Sequence, residues 1–103
     1  NIVILTRTRD YVKKPSSMAG LMKVLLRKYP AIVKAMNRRH IMYEEEKQFV
    51  FEQEAAGKCL VIAPEVDVGI SRTEHDPEEL ERVYQMGRAT GLKNLEKVRE
   101  FLR

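Results

Sequence analysis

The sequence predicts an α/β fold in which two parallel strands, near residues 2–6 and 59–63, form a small sheet. A helical crossover joins the strands, and a C-terminal helix follows them. The second strand segment is an apolar run without polar alternation, bounded by Gly57 and Pro64, as expected for a strand buried on both faces. The first segment is the only comparable run, and the pattern between the two is helical. Parallel strands require a long crossover of this kind.

The length of 103 residues corresponds to one domain. Because Asn1 opens directly on an apolar strand, we interpret residues 1–103 as a fragment of a longer protein; the alternative is that disordered ends have been trimmed. The single cysteine, Cys59, excludes an internal disulfide framework and fits a reducing compartment. No apolar run approaches the roughly 18 residues of a membrane span. We therefore expect a cytoplasmic protein that can lie peripherally at a membrane.

The charge is unevenly distributed along the chain. Up to Tyr43 there are ten basic residues and one acidic residue, and the remainder has nine basic and fourteen acidic residues, for a net charge of +4. The basic half can face anionic lipid or nucleic acid, or the two halves can balance each other within the fold. The candidate contacts with an anionic surface are Arg7, Arg9, Lys13, Lys14, Lys23, Arg27 and Lys28.

The first helical segment is predicted to begin at a cap formed by Ser16 or Ser17. Its apolar stripe has three- and four-residue spacing. The stripe consists of Met18, Leu21, Met22, Leu25 and Tyr29. Pro30 cannot continue this helix but suits the first turn of a new one, so we expect a break before it.

Residues 31–56 are helical in pattern, either as one bent helix or as two short ones. Gly57 is predicted to end them in a left-handed conformation. We interpret the charged face of this segment as a solvated surface. Its members are Glu44, Glu45, Glu46, Lys47, Glu52 and Glu54.

After Pro64, the alternation around Val66–Ile70 indicates a short edge strand or an extended arm. Asp76 then predicts a helix N-cap, with Pro77 in the first turn and Glu79 as a capping-box carboxylate. Gly87 and Gly91 share one face of the helix that follows. They predict close packing there, or else a break near Gly91.

The sequence contains no complete catalytic motif. The nearest match to the G-x-S-x-G nucleophile elbow, residues 69–73, lacks the second glycine. Neither His40 nor His75 has neighbours that complete a zinc ligand set, and Cys59 is interpreted as an inert core thiol. The tyrosines mostly fall on apolar helical stripes, which disfavours nucleic-acid stacking. We therefore predict no catalytic residue, cofactor or metal site in this chain.

Several segments, taken in order, form a wider pattern. They are Ile4–Pro15, Arg27–Pro30, Asn37–His40 with Tyr43, Gly57–Pro64, and Arg72–Pro77 with Tyr84 and Gly87. In order and spacing this pattern resembles the strand, basic loop, helices and closing segment late in bacterial patatin-like phospholipases.

The resemblance implies a parent protein that is a lipid acyl hydrolase with a Ser-Asp dyad, acting on lipid esters. The family's D-G-G/A turn is absent, because Asp10, Asp67 and Asp76 are followed by Tyr, Val and Pro. The resemblance thus implies that residues 1–103 are a single C-terminal domain or fragment of a longer hydrolase, which lies downstream of the dyad and is inert by itself. The predicted role of the chain is to extend and brace the catalytic sheet, with the N-terminal catalytic domain as its partner.

Two alternatives remain open. The chain can be a basic module that binds anionic membrane or, less favourably, nucleic acid, with salt-sensitive binding. It can also be an oligomerisation element, because an exposed edge of the first strand would invite pairing between copies.

Overall fold

A computed structural model describes all 103 residues and confirms the α/β class. The elements in chain order are β1 (Ile2–Ile4), α1 (Ala19–Leu25), α2 (Pro30–Ala55), β2 (Leu60–Ile62), α3 (Pro77–Lys93) and α4 (Leu95–Phe101). The chain divides into two compact units. The sheet unit comprises Asn1–Tyr11 and Glu52–Arg103, and the helical unit comprises Val12–Phe51.

The sheet consists of β1 and β2, which run parallel in the register Ile2–Leu60, Val3–Val61 and Ile4–Ile62. The predicted parallel pair and its helical crossover are therefore confirmed. The core of the sheet unit is small, with Cys59 and Val61 buried.

The second strand segment is predicted to be buried on both faces, and β2 meets this expectation in part, because Val61 is buried while Leu60 and Ile62 are half-buried. The comparable apolar run of β1 is more exposed. Ile4 is 72% exposed, Ile2 is also exposed, and only Val3 is half-buried. An apolar run indicates that a strand suits a covered environment, but the faces of a strand are covered by helices or a second sheet packed on them. No such layer in this chain covers Ile2 and Ile4.

Helix α2 is a single element of 26 residues, about 39 Å long. It ends as predicted, because Gly57 has a φ of +69°. Lys58 N–H donates to the Gln53 carbonyl at 2.9 Å, and Gly57 N–H donates to the Glu54 carbonyl at 2.9 Å. This pair of hydrogen bonds is a Schellman motif, which reverses the chain and directs it into β2.

Helix α3 begins at the predicted cap. The Asp76 carboxylate accepts a hydrogen bond from Glu78 N–H at 2.9 Å, and Pro77 occupies the first turn. The capping-box role expected of Glu79 is wrong, because its carboxylate binds Arg82 instead. Glu74 takes over that role by accepting from Asp76 N–H at 3.0 Å.

The two glycines of α3 do not mark close packing. A Cβ atom placed on Gly87 or Gly91 would meet no other atom within 4 Å. The helix is interrupted three residues after Gly91, at Asn94, whose side-chain amide donates to the Thr90 carbonyl at 2.9 Å. The alternative expectation, a break near Gly91, is the one confirmed.

In the helical unit, Pro30 is the first residue of α2, as predicted. The Ser16 hydroxyl accepts from Met18 N–H at 3.2 Å and so orders the turn that leads into α1. Met18 itself occupies the N-cap position, without a side-chain cap. Val33 is the one buried apolar residue of this unit.

Candidate interaction site

The hydrogen bonds of the ladder define which backbone groups of the sheet face outward. Leu60 N–H donates to the Asn1 carbonyl at 3.0 Å, and Leu5 N–H donates to the Ile62 carbonyl at 2.8 Å. In a parallel pair the residues of one strand alternate between facing their partner and facing away from it. The N–H and C=O groups of Ile2 and Ile4 therefore lie on the outer edge of β1, and those of Val61 lie on the outer edge of β2.

Side chains close the outer edge of β2. Glu54, in the last turn of α2, accepts a hydrogen bond from Val61 N–H at 3.2 Å. Arg9, in the loop after β1, donates to the Val61 carbonyl at 3.2 Å. Both outward-facing backbone groups of the central β2 residue thus have partners within the chain. We call Arg9, Glu54 and Val61 the edge clamp.

The two charged members of the edge clamp also bind each other. The guanidinium of Arg9 donates two hydrogen bonds to the Glu54 carboxylate, both at 2.6 Å, in a bidentate arrangement. The Arg9 hydrogen bond holds the pKa of Glu54 below its ordinary value, although partial burial opposes this effect. Glu54 in turn raises the pKa of Arg9. Both groups therefore remain charged at neutral pH.

No strand covers the outer edge of β1, because the sheet has only two strands. The segment from Asn1 to Thr6 carries no charged side chain and no proline. Charges and prolines are the usual means by which proteins block pairing at an exposed edge. The sheet is thus asymmetric, with the β2 edge closed and the β1 edge open.

The segment after β2 is irregular, so the edge strand considered for Val66–Ile70 is not formed. Polar contacts tie this segment to the rest of the sheet unit. Asp67 accepts from Arg7 at 3.1 Å, and the Val68 carbonyl accepts from Arg82 at 2.8 Å. Glu65 forms an ion pair with Lys93, which holds the pKa of Glu65 below its ordinary value.

A cleft of about 840 Å³ lies within the sheet unit, at the carboxyl ends of both strands. Its walls are formed by the strand ends, the irregular segment and one face of α3, and they are mostly apolar. Gly87 and Gly91 lie on this face, which explains why a Cβ at either position would point into open space. The carboxyl ends of parallel strands are the usual place for ligands in α/β folds.

The structure separates the seven basic residues predicted to contact an anionic surface. Arg7 and Arg9 belong to the sheet unit, where they bind Asp67 and Glu54. The Arg7 guanidinium also lies 5.1 Å from the centroid of the Tyr11 ring. These two arginines hold the loop after β1 in place and are not free headgroup contacts.

The other five basic residues belong to the helical unit. The Lys13 ammonium lies 5.5 Å from the centroid of the Tyr43 ring. The backbone N–H of Lys13 donates a hydrogen bond to the Glu44 carboxylate at 3.3 Å. The remaining four are exposed at the surface of this unit: Lys14, Lys23, Arg27 and Lys28.

The role of Glu54 differs from the sequence prediction, which places this residue on a solvated helix face. Nothing in its local pattern separates it from Glu52, since both lie in the same charged stretch. The deciding circumstance is that the Schellman turn brings Val61 back against the end of α2.

Residues 29–103 match the family described as a domain of unknown function, DUF6363. The chain belongs to the DUF6363 family. No curated protein and no solved structure is significantly similar to this chain.

The boundary of the DUF6363 match falls between the two strands. Strand β2 lies inside the matched residues, whereas β1 and the basic loop after it precede them. The DUF6363 domain therefore contributes one strand to the sheet, and that strand pairs with a strand outside the family match.

The remaining side chains do not assemble a metal centre. No cluster of three or more His, Cys, Asp or Glu residues has the arrangement that a metal ion needs. None of the four helices combines the length and hydropathy that a bilayer crossing requires.

Proposed function

We propose that this chain is the non-catalytic C-terminal part of a patatin-like serine acyl hydrolase, an enzyme that cleaves lipid esters. Its role is to extend and brace the sheet of the catalytic domain, which would supply the serine nucleophile, the aspartate base and the oxyanion donors. The sequence resemblance suggests the enzyme class. The following observations support a bracing role.

The observation that carries the bracing role is the imbalance between buried and exposed apolar side chains. In the sheet unit only Cys59 and Val61 are buried while eight large apolar side chains are exposed, and in the helical unit only Val33 is buried while ten are exposed. Isolated exposed apolar residues are ordinary, but so large a set around so small a core is typical of a surface that packs against another protein.

The positions of the two strands relative to the family match support the same role. The DUF6363 domain supplies β2, and the pairing partner of β2 lies before the matched residues. A domain that adds a single strand to a sheet begun outside it is suited to extend that sheet.

Ester hydrolysis by the complete protein tests the proposal. We expect the complete reading frame to contain an upstream G-x-S-x-G elbow, and the Ala variant of that serine to lose esterase activity on a p-nitrophenyl acyl ester. Ser71→Ala is the matched control, because Ser71 occupies the only elbow-like position in this chain. It should leave the activity unchanged, and the isolated chain should hydrolyse no ester. Ester hydrolysis by the isolated chain that depends on Ser71 would contradict the proposal.

A second candidate function is contact with an anionic membrane through the helical unit. Lys23, Arg27 and Lys28 are exposed next to the exposed side chains of Val24 and Leu25. Cations beside apolar groups suit the boundary between headgroups and acyl chains, where each Lys or Arg contributes about 1 kcal/mol.

Co-sedimentation with phosphatidylserine vesicles at two salt concentrations tests this second candidate. Replacing Lys23, Arg27 and Lys28 with Gln should weaken binding about 100-fold at low salt. The control variant replaces Lys58, Arg88 and Arg103, which are equally exposed and remove the same charge from the sheet unit. Equal losses for the two variants would show that net charge alone drives binding and would contradict a specific basic surface.

A further inference from the structure

We infer that the outer edge of β1 is the site at which the sheet of the hydrolase domain adds a strand, and that β2 is the last strand of the combined sheet. The inference rests on the proposed function and states which surface carries it. The partner is an apolar strand within a larger folded domain.

The backbone chemistry of the edge requires an extended partner. The N–H and C=O groups of Ile2 and Ile4 face outward and are spaced as a strand is spaced. Only another strand presents donors and acceptors with the same repeat, as in β-strand addition. The uncharged side chains of Asn1–Thr6 place no obstacle to an apolar neighbour.

The edge clamp determines the direction in which the sheet can grow. A strand approaching β2 would have to displace Glu54 from Val61 N–H and Arg9 from the Val61 carbonyl. Such displacement would also break the bidentate pair between the two side chains. The β1 edge presents no comparable obstacle, so addition occurs on that side only.

The small size of the edge argues for a domain and against a second copy of this chain. Three residues of strand span about 10 Å. Stable interfaces bury about 800 Å² on each partner, which a short strand pair cannot supply alone. A larger domain can also cover Ile4 and the exposed apolar residues of α3, among them Leu80, Tyr84 and Leu92.

Amide hydrogen exchange followed residue by residue tests the inference. In the isolated chain, Val3 and Leu5 N–H face β2 and should exchange slowly, whereas Ile2 and Ile4 N–H should exchange rapidly. In the complete protein, Ile2 and Ile4 should exchange at least about tenfold more slowly than in the isolated chain.

Ile4→Pro removes one outward-facing N–H while leaving the ladder between β1 and β2 intact, because proline is tolerated at a strand edge when its nitrogen faces outward. In the complete protein this variant should abolish the added protection of Ile2. The Ile4→Val control keeps the N–H of residue 4 and should preserve the added protection of Ile2. Retained protection of Val3 and Leu5 shows that Ile4→Pro still folds.

Each other result overturns the inference in a distinguishable way. Rapid exchange of Ile2 and Ile4 in a complete protein whose esterase activity depends on an upstream serine would refute the edge assignment alone. Concentration-dependent protection in the isolated chain would identify a second copy as the occupant and refute the assigned partner. A complete reading frame without a hydrolase domain would refute this inference together with the proposed function.

Discussion

Glu54 Oε1 lies 3.2 Å from the backbone nitrogen of Val61, so a helix side chain occupies the position where a neighbouring strand would otherwise bind. Arg9 completes the arrangement at the same edge by donating a hydrogen bond to the Val61 carbonyl. The result is a two-stranded sheet with one closed edge and one open edge. That asymmetry links the folding of this chain to its proposed role, because it leaves a single direction for extension.

Neutralising Glu54 should destabilise the sheet unit. Glu54→Gln weakens the hydrogen bonds to Arg9 and Val61, and we expect the free energy of unfolding in urea to fall by about 1 kcal/mol, given that Arg9 is half exposed. The matched control is Glu45→Gln, an exposed position on the same helix. Equal unfolding free energies for the two variants would contradict a structural role for the edge clamp.

The contribution of Glu54 should depend on pH. Arg9 lowers the pKa of Glu54 in the folded chain relative to its ordinary value of 4.5. A lowered folded-state pKa contributes stability that is fully present above the unfolded-state pKa and is lost as the pH falls through the folded-state pKa. The stability difference between the wild-type chain and Glu54→Gln should therefore be largest at neutral pH and shrink in acid. Urea titrations at several pH values measure it, and a constant difference would refute the charge-based explanation.

Removing the Asp76 cap at the N-terminus of α3 should lower the free energy of unfolding. Asp76→Ala leaves Glu78 N–H without its acceptor and should reduce the unfolding free energy by about 1 kcal/mol. Asp76→Asn retains a side-chain oxygen and should recover most of that loss. If both variants are equally destabilised in thermal unfolding, the lost charge and not the cap is responsible.

Two glycine substitutions should have opposite effects. Gly57 has a φ of +69°, so Gly57→Ala forces a side chain into the left-handed region and should cost about 1–2 kcal/mol. Gly91 lies within α3 and faces open space, so Gly91→Ala should stabilise the helix by about 1 kcal/mol. Urea denaturation of both variants checks the signs. Destabilisation by Gly91→Ala in the isolated chain would show that the open face of α3 is already occupied.

The alternative that the chain is an oligomerisation element leads to a simple test. Pairing of two β1 edges would make the molecular mass measured by light scattering rise with concentration, and Ile4→Pro would abolish the rise. Because the edge is only three residues long, we expect the chain to remain monomeric at micromolar concentration. A stable dimer that survives dilution would contradict this expectation.

Short-range patterns are sufficient to predict the features whose cause is local. Pro30, Gly57 and Asp76 act on the one or two turns beside them, through a missing donor, a left-handed φ and a capping oxygen, so their effects can be derived from neighbouring residues. The parallel pairing of β1 and β2 is also predictable, because only two apolar runs exist and a helical crossover separates them.

The features that distinguish the site depend instead on contacts between residues far apart in sequence. Glu54 and Arg9 are 45 residues apart, and no local pattern marks either as the residue that closes β2. The exposure of Ile4 likewise depends on whether another element packs on the face of β1, which an apolar run cannot indicate. The amino-acid pattern thus specifies the helices and strands and the residues at which the helices begin and end. The difference between the open β1 edge and the closed β2 edge arises only in the folded chain, because it depends on contacts between residues far apart in sequence.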